Sequence, residues 1–266
     1  MDFDNPKNFN EIVCMLKIKG NIELWSKLAD KYLVREHIKE RGFENNLVKL
    51  YGVWDNAKDI DFDALPDKFI LKTNNAAGKV VIVNDKSTLD IPATRKLLNR
   101  MLKKVYGISS AQLHYRLIEP KIIAEELLEN DPETNAISSS LIDYKWFCFN
   151  GYVSYVEVMT NRGSKSGKRS AVFSPEWVEH PEFMNASNRL TETTIPKPKQ
   201  LKEMVEMCQT LSKGHPFVRV DLYETNGKVY FGELTFTPGG GLSKSRSDLF
   251  LDHLGDIYYQ NNPDSN

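Results

Sequence analysis

The chain has 266 residues, 41% of them hydrophobic and 27% charged, which is the composition of an ordinary soluble globular protein. This length is enough to bury a sizeable core, as one large domain or as two lobes. The formal net charge of −1 argues against a dominant nucleic-acid or anionic-membrane surface, so we predict no nucleic-acid partner.

The cysteines and the start of the chain both indicate a cytoplasmic location. Cys14, Cys148 and Cys208 lie far apart without metal-ligand or CxxC spacing, and their odd number suits reduced thiols. The acidic, polar start MDFDNPKNFN is unlike a secretory signal, and no apolar run is long enough to cross a membrane. We therefore predict a cytoplasmic protein without a transmembrane segment.

Residues 10–41 carry apolar side chains at helical spacing and are predicted to be helical up to Gly42. Lys31 and Arg35 lie four residues apart there, so they share one helix face. The pair is either a solvated face, which helix chemistry alone favours, or part of a site for an anionic ligand.

A hairpin with a tip of small residues is predicted after a loop over residues 50–66. Its strands span 68–72 and 79–83, with a turn at 74–78 that Lys72 and Lys79 flank. Small residues let backbone N–H groups approach a phosphate, although most such tips are plain turns. A helix over 93–106 is predicted to pack into the core.

A second hairpin is predicted over residues 141–159, after a short apolar run at 120–129. Lys145 lies in the middle of its aromatic first strand, where a buried amine needs a partner or a route to water. The basic loop 162–169 is either a mobile solvated loop or a lid over an anionic substrate. The last predicted helix spans 198–213.

The third hairpin, over residues 217–241, places charged residues in strands that would otherwise suit a core. Arg219, Asp221 and Glu233 each need a partner there. A two-residue loop at Asn226-Gly227 would pair Asp221 with Gly232 and turn Glu233 to the opposite face.

A three-residue loop at 225–227 would instead pair Glu224 with Lys228. Arg219 would then lie opposite Glu233, with Asp221 and Thr235 on the same face. We predict this loop, because two carboxylates on one face can share a cation, and oxygen-rich sites suit Mg²⁺.

Other catalytic patterns find no support. The five histidines lack metal-ligand spacing, and no serine lies in a GxSxG elbow. His215 precedes the third hairpin, but a lone histidine is more often structural than catalytic.

Five stretches, in order, resemble the ATP-grasp enzymes: LADKYLVREHIKERG, LPDKFILKTNNAAGK, IIAEELL, DYKWFCFNG and VRVDLYETNGKVYFGELTFTPGGG. They look most similar to the TupA-like branch, which is associated with bacterial teichuronopeptide and surface-polysaccharide synthesis. The resemblance runs from residue 10 to residue 255. It implies an α+β fold of two lobes with mainly antiparallel sheets and the nucleotide site between them.

The resemblance also implies which residues hold the cofactors ATP and Mg²⁺. Lys72 would contact the phosphates, residues 74–79 would cover them, Glu125 would lie beside the adenine, and Asp143 would bind the ribose. The full nucleotide set is Lys31, Lys72, Asn74, Gly78, Lys79, Glu125, Glu126, Leu127, Leu128 and Asp143. The metal set is Asp221, Glu233 and Thr235, and the catalytic set is Arg219, Lys145 and Arg162.

Three departures from the family pattern stand out. Thr235 occupies a position where the family often has asparagine, and the phosphate loop NNAAG has few glycines. The front of the chain is too short for a separate βαβ-type domain. We predict a helical segment at 1–65 that contributes to the first lobe, a small lobe at 66–124, a larger lobe with the metal site at 125–262, and a frayed tail at 263–266.

The predicted function is an ATP-dependent carboxylate–amine ligase that forms an acyl-phosphate, with small-molecule or glycan carboxylates and amines as substrates. It would join an amino acid to a uronic acid or a related acceptor in a surface glycan. A glycosyltransferase is the first alternative, but a clear DxD motif is missing and Lys31 and Lys72 stay unexplained. A non-catalytic or kinase-like nucleotide binder is the second.

Overall fold

The structure, a computed structural model, describes residues 4–75, 79–161, 169–190 and 195–263. The chain forms two compact units, one made of Asn21–Leu128 and the other of Met1–Gly20 with Glu129–Asn266. The predicted lobe boundaries at 66–124 and 125–262 remain a prediction. The compact units differ from it in two respects, because residues 1–20 group with the C-terminal part of the chain and residues 125–128 group with the first unit.

The described residues form α-helices and β-strands, which are numbered here in chain order. The α-helices are α1 Phe9–Lys19, α2 Ile22–Ala29, α3 Val34–Glu40, α4 Ile91–Leu102, α5 Pro132–Asn135, α6 Leu201–Ser212 and α7 Asp248–Asn261. The strands are β1 Leu50–Trp54, β2 Phe69–Thr73, β3 Val80–Val83, β4 Ile122–Glu125, β5 Asp143–Phe149, β6 Tyr152–Thr160, β7 Arg169–Phe173, β8 Val218–Thr225 and β9 Lys228–Thr235. Within these residues, no helix is long and apolar enough to cross a membrane.

Two antiparallel sheets confirm the predicted α+β class. The first has the strand order β1-β4-β2-β3 and the second has the order β7-β6-β5-β8-β9. Every strand pair in both sheets is antiparallel.

The observed elements differ from the predicted ones in several places. The helical stretch 10–41 is three helices, which break at Gly20 and after Ala29. The segment 50–66, predicted as a loop, contains β1, a strand of five half-buried residues that takes its place in the sheet by pairing with β4. The helix α7 was not predicted, although Ser247 caps its start by accepting a hydrogen bond from the Phe250 N–H.

One face of the first sheet packs on α4 and carries the core of its unit. The buried side chains there include Phe69 and Leu71 of β2 and Leu98 of α4. Because alternate residues of a strand point to opposite faces, Lys72 of β2 lies on the other face. Glu125 lies opposite Ile70, two residues from Lys72, and therefore shares the face of Lys72.

The second sheet is covered by helices on both faces. Phe9 of α1 packs edge-on against Phe147 and Phe217, with ring centroids 5.7 and 4.7 Å away. On the opposite face, Cys148 of β5 contacts Cys208 of α6. Lys145 shares the α1 face, because it lies two residues from Phe147 on the same strand.

The third hairpin has a different turn from the predicted one. Thr225 pairs with Lys228, so the loop is the two-residue Asn226-Gly227, with φ values of 53° and 71° that match a type I′ turn. The three-residue loop is therefore wrong. Arg219 lies opposite Thr235 rather than opposite Glu233.

A bulge further along the hairpin nevertheless brings the two carboxylates together. The register shifts between Asp221 and Leu222, so that Asp221 lies opposite Glu233 while Gly232 is the extra residue of β9. A Cβ atom at Gly232 would lie 2.9 Å from the Asp221 carbonyl oxygen, so the bulge favours glycine. The shared face is confirmed, but the bulge produces it and not the loop.

Candidate functional site

Four neighbouring strands of the second sheet each contribute one charged residue at the same level. Glu157 of β6 lies opposite Lys145 of β5, Lys145 lies opposite Asp221 of β8, and Asp221 lies opposite Glu233 of β9. Residues directly opposite each other project to the same face. The four side chains therefore form a line of charges across the sheet, which we call the charged row.

Asp221 is the centre of the charged row. Its Oδ1 accepts a hydrogen bond from Arg219 Nε at 2.6 Å, and its Oδ2 accepts one from Arg219 Nη2 at 2.6 Å. Lys145 Nζ lies 2.5 Å from Asp221 Oδ2 and 2.8 Å from Asp143 Oδ2. The predicted need of Lys145 for a partner is thus met by two carboxylates, and Asp143 serves as one of them.

Arg219 links the two predicted metal residues of β9 to Asp221. Its Nη2 donates to Thr235 Oγ1 at 3.1 Å and lies 3.5 Å from Glu233 Oε1. Burial disfavours the charged guanidinium, but the charge and hydrogen bonds of Asp221, together with the charges of Glu233 and Asp143, outweigh this effect and raise the pKa of Arg219. Arg219 therefore stays charged and fixed among the carboxylates.

A second buried ion pair extends the charged row. Arg246 donates to Glu157 Oε2 from Nε at 3.0 Å and from Nη2 at 2.6 Å, and its guanidinium lies over the Phe147 ring. Burial raises the pKa of Glu157, but Arg246 more than offsets this and lowers it. Neither residue was predicted as part of a site. The usable signal was Glu157 inside an apolar strand, which is the same signal that identified Lys145.

The charges of this group leave one negative charge in excess. Counted with every group ionised, Asp143, Glu157, Asp221 and Glu233 contribute four negative charges, and Lys145, Arg219 and Arg246 contribute three positive charges. Glu233 has a side chain that is 33% exposed, whereas the others are at most 11% exposed. The surplus charge and the oxygen ligands of Glu233, Asp221 and Thr235 fit a hard divalent cation such as Mg²⁺. Within the described part of the chain, no cluster of three or more His, Cys, Asp or Glu side chains forms a metal site of its own.

In the other unit, Glu125 joins two cations. Lys72 Nζ lies 2.5 Å from Glu125 Oε2, and Arg35 Nη1 lies 3.5 Å from Glu125 Oε1. Arg35 Nη2 also donates to the Val48 carbonyl oxygen at 2.9 Å. The solvated-face interpretation is wrong for Arg35, whose side chain is only 15% exposed. Two cations on one carboxylate leave a positive charge, as a phosphate site requires.

Asn74 is part of the framework and not a free donor for phosphate. Its Nδ2 donates to Asp30 Oδ2 at 2.8 Å and to the Glu119 carbonyl oxygen, while its Oδ1 accepts from the Lys121 N–H at 2.7 Å. Its backbone carbonyl accepts from the Lys31 N–H at 3.2 Å. Asn74 thus holds the segment that carries Lys31 against the end of β2, and its place among the nucleotide residues stays a prediction.

The other predicted nucleotide residues lie at the ends of strands. Lys79 is exposed just before β3, and Glu126, Leu127 and Leu128 are half-buried after β4. The Glu126 N–H already donates to the Lys49 carbonyl oxygen at 2.9 Å. Gly78 and Arg162, like most of the basic loop 162–169, lie outside the described residues.

Solved structures with a similar fold are ligases by name. The D-alanine–D-alanine ligase from Bacillus anthracis is 16% identical with a TM-score of 0.52, covering 94% of this chain and 72% of that one. The L-amino acid ligase from Bacillus licheniformis is 13% identical with a TM-score of 0.47, covering 82% and 43%. The ATP-grasp ligase PsnB, complexed with minimal precursor variant, Mg and ADP, is 10% identical with a TM-score of 0.47, covering 97% and 66%.

The family comparison covers nearly the whole chain. The comparison with curated protein sequences finds no match. The model of the TupA-like ATP-grasp family matches residues 11–259, a range that includes the charged row and the Lys72–Glu125 pair. The similarity to the Bacillus anthracis ligase supports the same fold independently. The chain therefore belongs to the TupA-like ATP-grasp family.

Proposed function

We propose that the protein is an ATP-dependent carboxylate–amine ligase that works through an acyl-phosphate. The observation that carries the proposal is the position of Asp221 directly opposite Glu233 in a bulged hairpin. Arg219 donates hydrogen bonds to Asp221 and to Thr235 on the same face. In an ATP-grasp protein, this arrangement suits a metal-bound nucleotide.

The chemical need for ATP follows from the poor reactivity of a carboxylate towards an amine. A carboxylate oxygen attacks the γ-phosphorus of ATP and ADP leaves, so the acid gains a phosphate leaving group. The amine nitrogen then attacks the carbonyl carbon, inorganic phosphate leaves and the nitrogen loses a proton. Both steps depend mainly on positioning and on neutralising phosphate charge.

Named residues of this chain supply these needs in the proposal. Asp221, Glu233 and Thr235 would hold Mg²⁺, which when bound neutralises phosphate charge. Arg219 would stabilise charge on the transferring phosphate, because a guanidinium offers a fork of donors that matches phosphate oxygens. Lys145 keeps Asp221 in position through its 2.5 Å contact.

The unit made of residues 21–128 would offer a phosphate-binding cation of its own. Lys72 would contact phosphate, and Glu125 would orient Lys72 through their 2.5 Å contact. This replaces the adenine-side role that the family resemblance implied for Glu125, because its carboxylate is held by two cations.

The substrates are the finer part of the proposal. The name of the D-alanine–D-alanine ligase favours an amino acid as one substrate. The association of the TupA-like branch with surface polysaccharides favours a uronic acid or related acceptor of a surface glycan as the other. Such an enzyme would work in the cytoplasm, where ATP is made.

The proposal is tested by trapping the activated acid. Protein, MgATP and hydroxylamine are incubated with a panel of uronic and amino acids, and hydroxamate and ADP are measured. We expect hydroxamate with at least one acid, and its loss in Asp221→Asn. Glu206→Gln, an exposed change on α6, should leave the yield unchanged. Thermal stabilisation by nucleotide-sugars with no response to ATP or ADP would favour a glycosyltransferase instead.

A further inference from the structure

The carboxylate at the centre of the proposed metal site is already neutralised by the protein itself. Both oxygens of Asp221 contact Arg219 at 2.6 Å, and one of them also contacts Lys145 at 2.5 Å. The side chain of Asp221 is 1% exposed. A cation that binds Asp221 must therefore share it with two fixed positive charges.

The local charge balance opposes a metal ion that arrives alone. Around Asp221, the carboxylates of Asp143, Asp221 and Glu233 and the cations Lys145 and Arg219 leave one negative charge. A bare divalent ion would turn this into one positive charge in a poorly solvated site, where like charges repel strongly. Phosphate groups that arrive with the metal would remove that repulsion and give Arg219 a new partner.

We propose that Arg219 is an internal counter-ion of Asp221 that makes metal binding depend on nucleotide phosphate. Without nucleotide, the Arg219 guanidinium occupies the carboxylate and divalent cations bind weakly. With nucleotide, the phosphate oxygens compete for the guanidinium and Asp221 becomes available to the metal. The inference rests on the proposed Mg²⁺–nucleotide site and adds to it the order in which its charges are neutralised.

Because binding free energies are linked, the coupling must act in both directions. Metal should strengthen nucleotide binding by the factor by which nucleotide strengthens metal binding. Removing the charge of Arg219 should let a divalent ion bind Asp221 and Glu233 without nucleotide. Metal binding would then depend less on nucleotide, and the coupling would weaken.

The test measures Mn²⁺ binding through the electron paramagnetic resonance signal of free Mn²⁺, with and without ADP, and a protein-free titration corrects for Mn²⁺ bound by ADP alone. We expect Arg219→Gln to bind Mn²⁺ alone at least about tenfold more tightly than the wild type, the ratio that corresponds to 1.4 kcal/mol. ADP should tighten Mn²⁺ binding strongly in the wild type and much less in Arg219→Gln. Lys145→Met should shift Mn²⁺ binding in the same direction, which provides a second variant if Arg219→Gln does not fold.

Arg95→Gln is the control. It also removes the charge of a half-buried arginine, but Arg95 donates to the Ile60 carbonyl oxygen at 3.0 Å and belongs neither to the charged row nor to the proposed nucleotide contacts. Its Mn²⁺ affinity without ADP should equal that of the wild type, and thermal unfolding should show that each variant tested is folded.

The outcomes separate this inference from the proposed function. Equal Mn²⁺ affinity of the wild type with and without ADP, or no gain in folded Arg219→Gln, would overturn the counter-ion role and leave the ligase proposal standing. Absence of Mn²⁺ binding to the wild type even with ADP would overturn both, because the metal site itself would be missing.

Discussion

At the scale of single residues, the buried charged side chains of the two described sites are held by opposite charges. Glu125 faces Lys72 and Arg35, Asp221 faces Arg219 and Lys145, and comparable pairs recur across the charged row. Breaking such a pair leaves a poorly hydrated charge, which costs more than an exposed ion pair contributes. The functional side chains are therefore also part of the stability of each unit.

Glu125→Gln tests whether the functional side chains in the unit made of residues 21–128 also stabilise that unit. The change leaves Lys72 and Arg35 facing each other without a carboxylate, so the free energy of unfolding should fall by about 1–3 kcal/mol. Urea denaturation measures it, and Lys72→Met should cost less stability in the Glu125→Gln background than in the wild type. Equal costs in both backgrounds would mean that the Lys72–Glu125 contact contributes nothing.

His114 predicts how stability depends on pH. Its side chain is 1% exposed, and burial lowers its pKa from 6.5 to about 4. The unfolded chain therefore binds a proton at a higher pH than the folded chain does. The stabilisation is complete above pH 6.5 and is lost as pH falls towards 4, with an upper bound of about 4 kcal/mol at 1.4 kcal/mol per pKa unit.

Urea unfolding of His114→Leu at several pH values checks this expectation. The variant should lose less stability than the wild type between pH 6.5 and pH 4, whatever its stability at neutral pH. An unchanged loss would assign the acid sensitivity to other groups.

At the scale of elements, the β8–β9 hairpin shows where sequence reasoning succeeds and where it stops. The alternation of charged and apolar residues predicted a hairpin, and a three-residue loop was predicted to put its carboxylates on one face. The two-residue Asn-Gly turn that the structure has was expected to put them on opposite faces, and the bulge at Gly232 restores the shared face. The sequence alone could not locate the register shift, since Gly232 is compatible with both a regular strand and a bulge. The close approach of the Asp221 carbonyl oxygen, which favours the bulge, is a property of the folded sheet.

Gly232→Ala tests whether this bulge sets up the site. The added Cβ would meet the Asp221 carbonyl oxygen and the Tyr223 ring, each at 2.9 Å, so we expect a loss of about 1–3 kcal/mol in stability and weaker Mg-ADP binding. Gly227→Ala is the control. Its φ of 71° makes alanine unfavourable by about 1–2 kcal/mol, but open space surrounds it and the register should survive. Equal nucleotide binding by both variants would contradict the role of the bulge.

At the scale of the whole molecule, motif order carried more information than any local pattern. Five motifs, each unspecific alone, predicted the family and the α+β class because they occur in the family's order. The match over residues 11–259 confirms the family. Local patterns missed β1, whose five half-buried residues include Gly52, and missed Glu157 and Arg246. They left open whether Arg35 belongs to a solvated face or to an anion site. Those residues become visible as a group only when strands and turns that are distant in sequence are brought together.

The most direct test of the account is calorimetric titration of Mg-ADP into the wild type and Glu233→Gln. Glu233 is the most exposed carboxylate of the charged row, so removing its charge should perturb folding least while removing a proposed metal ligand. We predict that Glu233→Gln weakens Mg-ADP binding by about tenfold or more, while Glu206→Gln binds as the wild type does. Unchanged Mg-ADP affinity in folded Glu233→Gln would contradict the assignment of this hairpin as the Mg²⁺–nucleotide site.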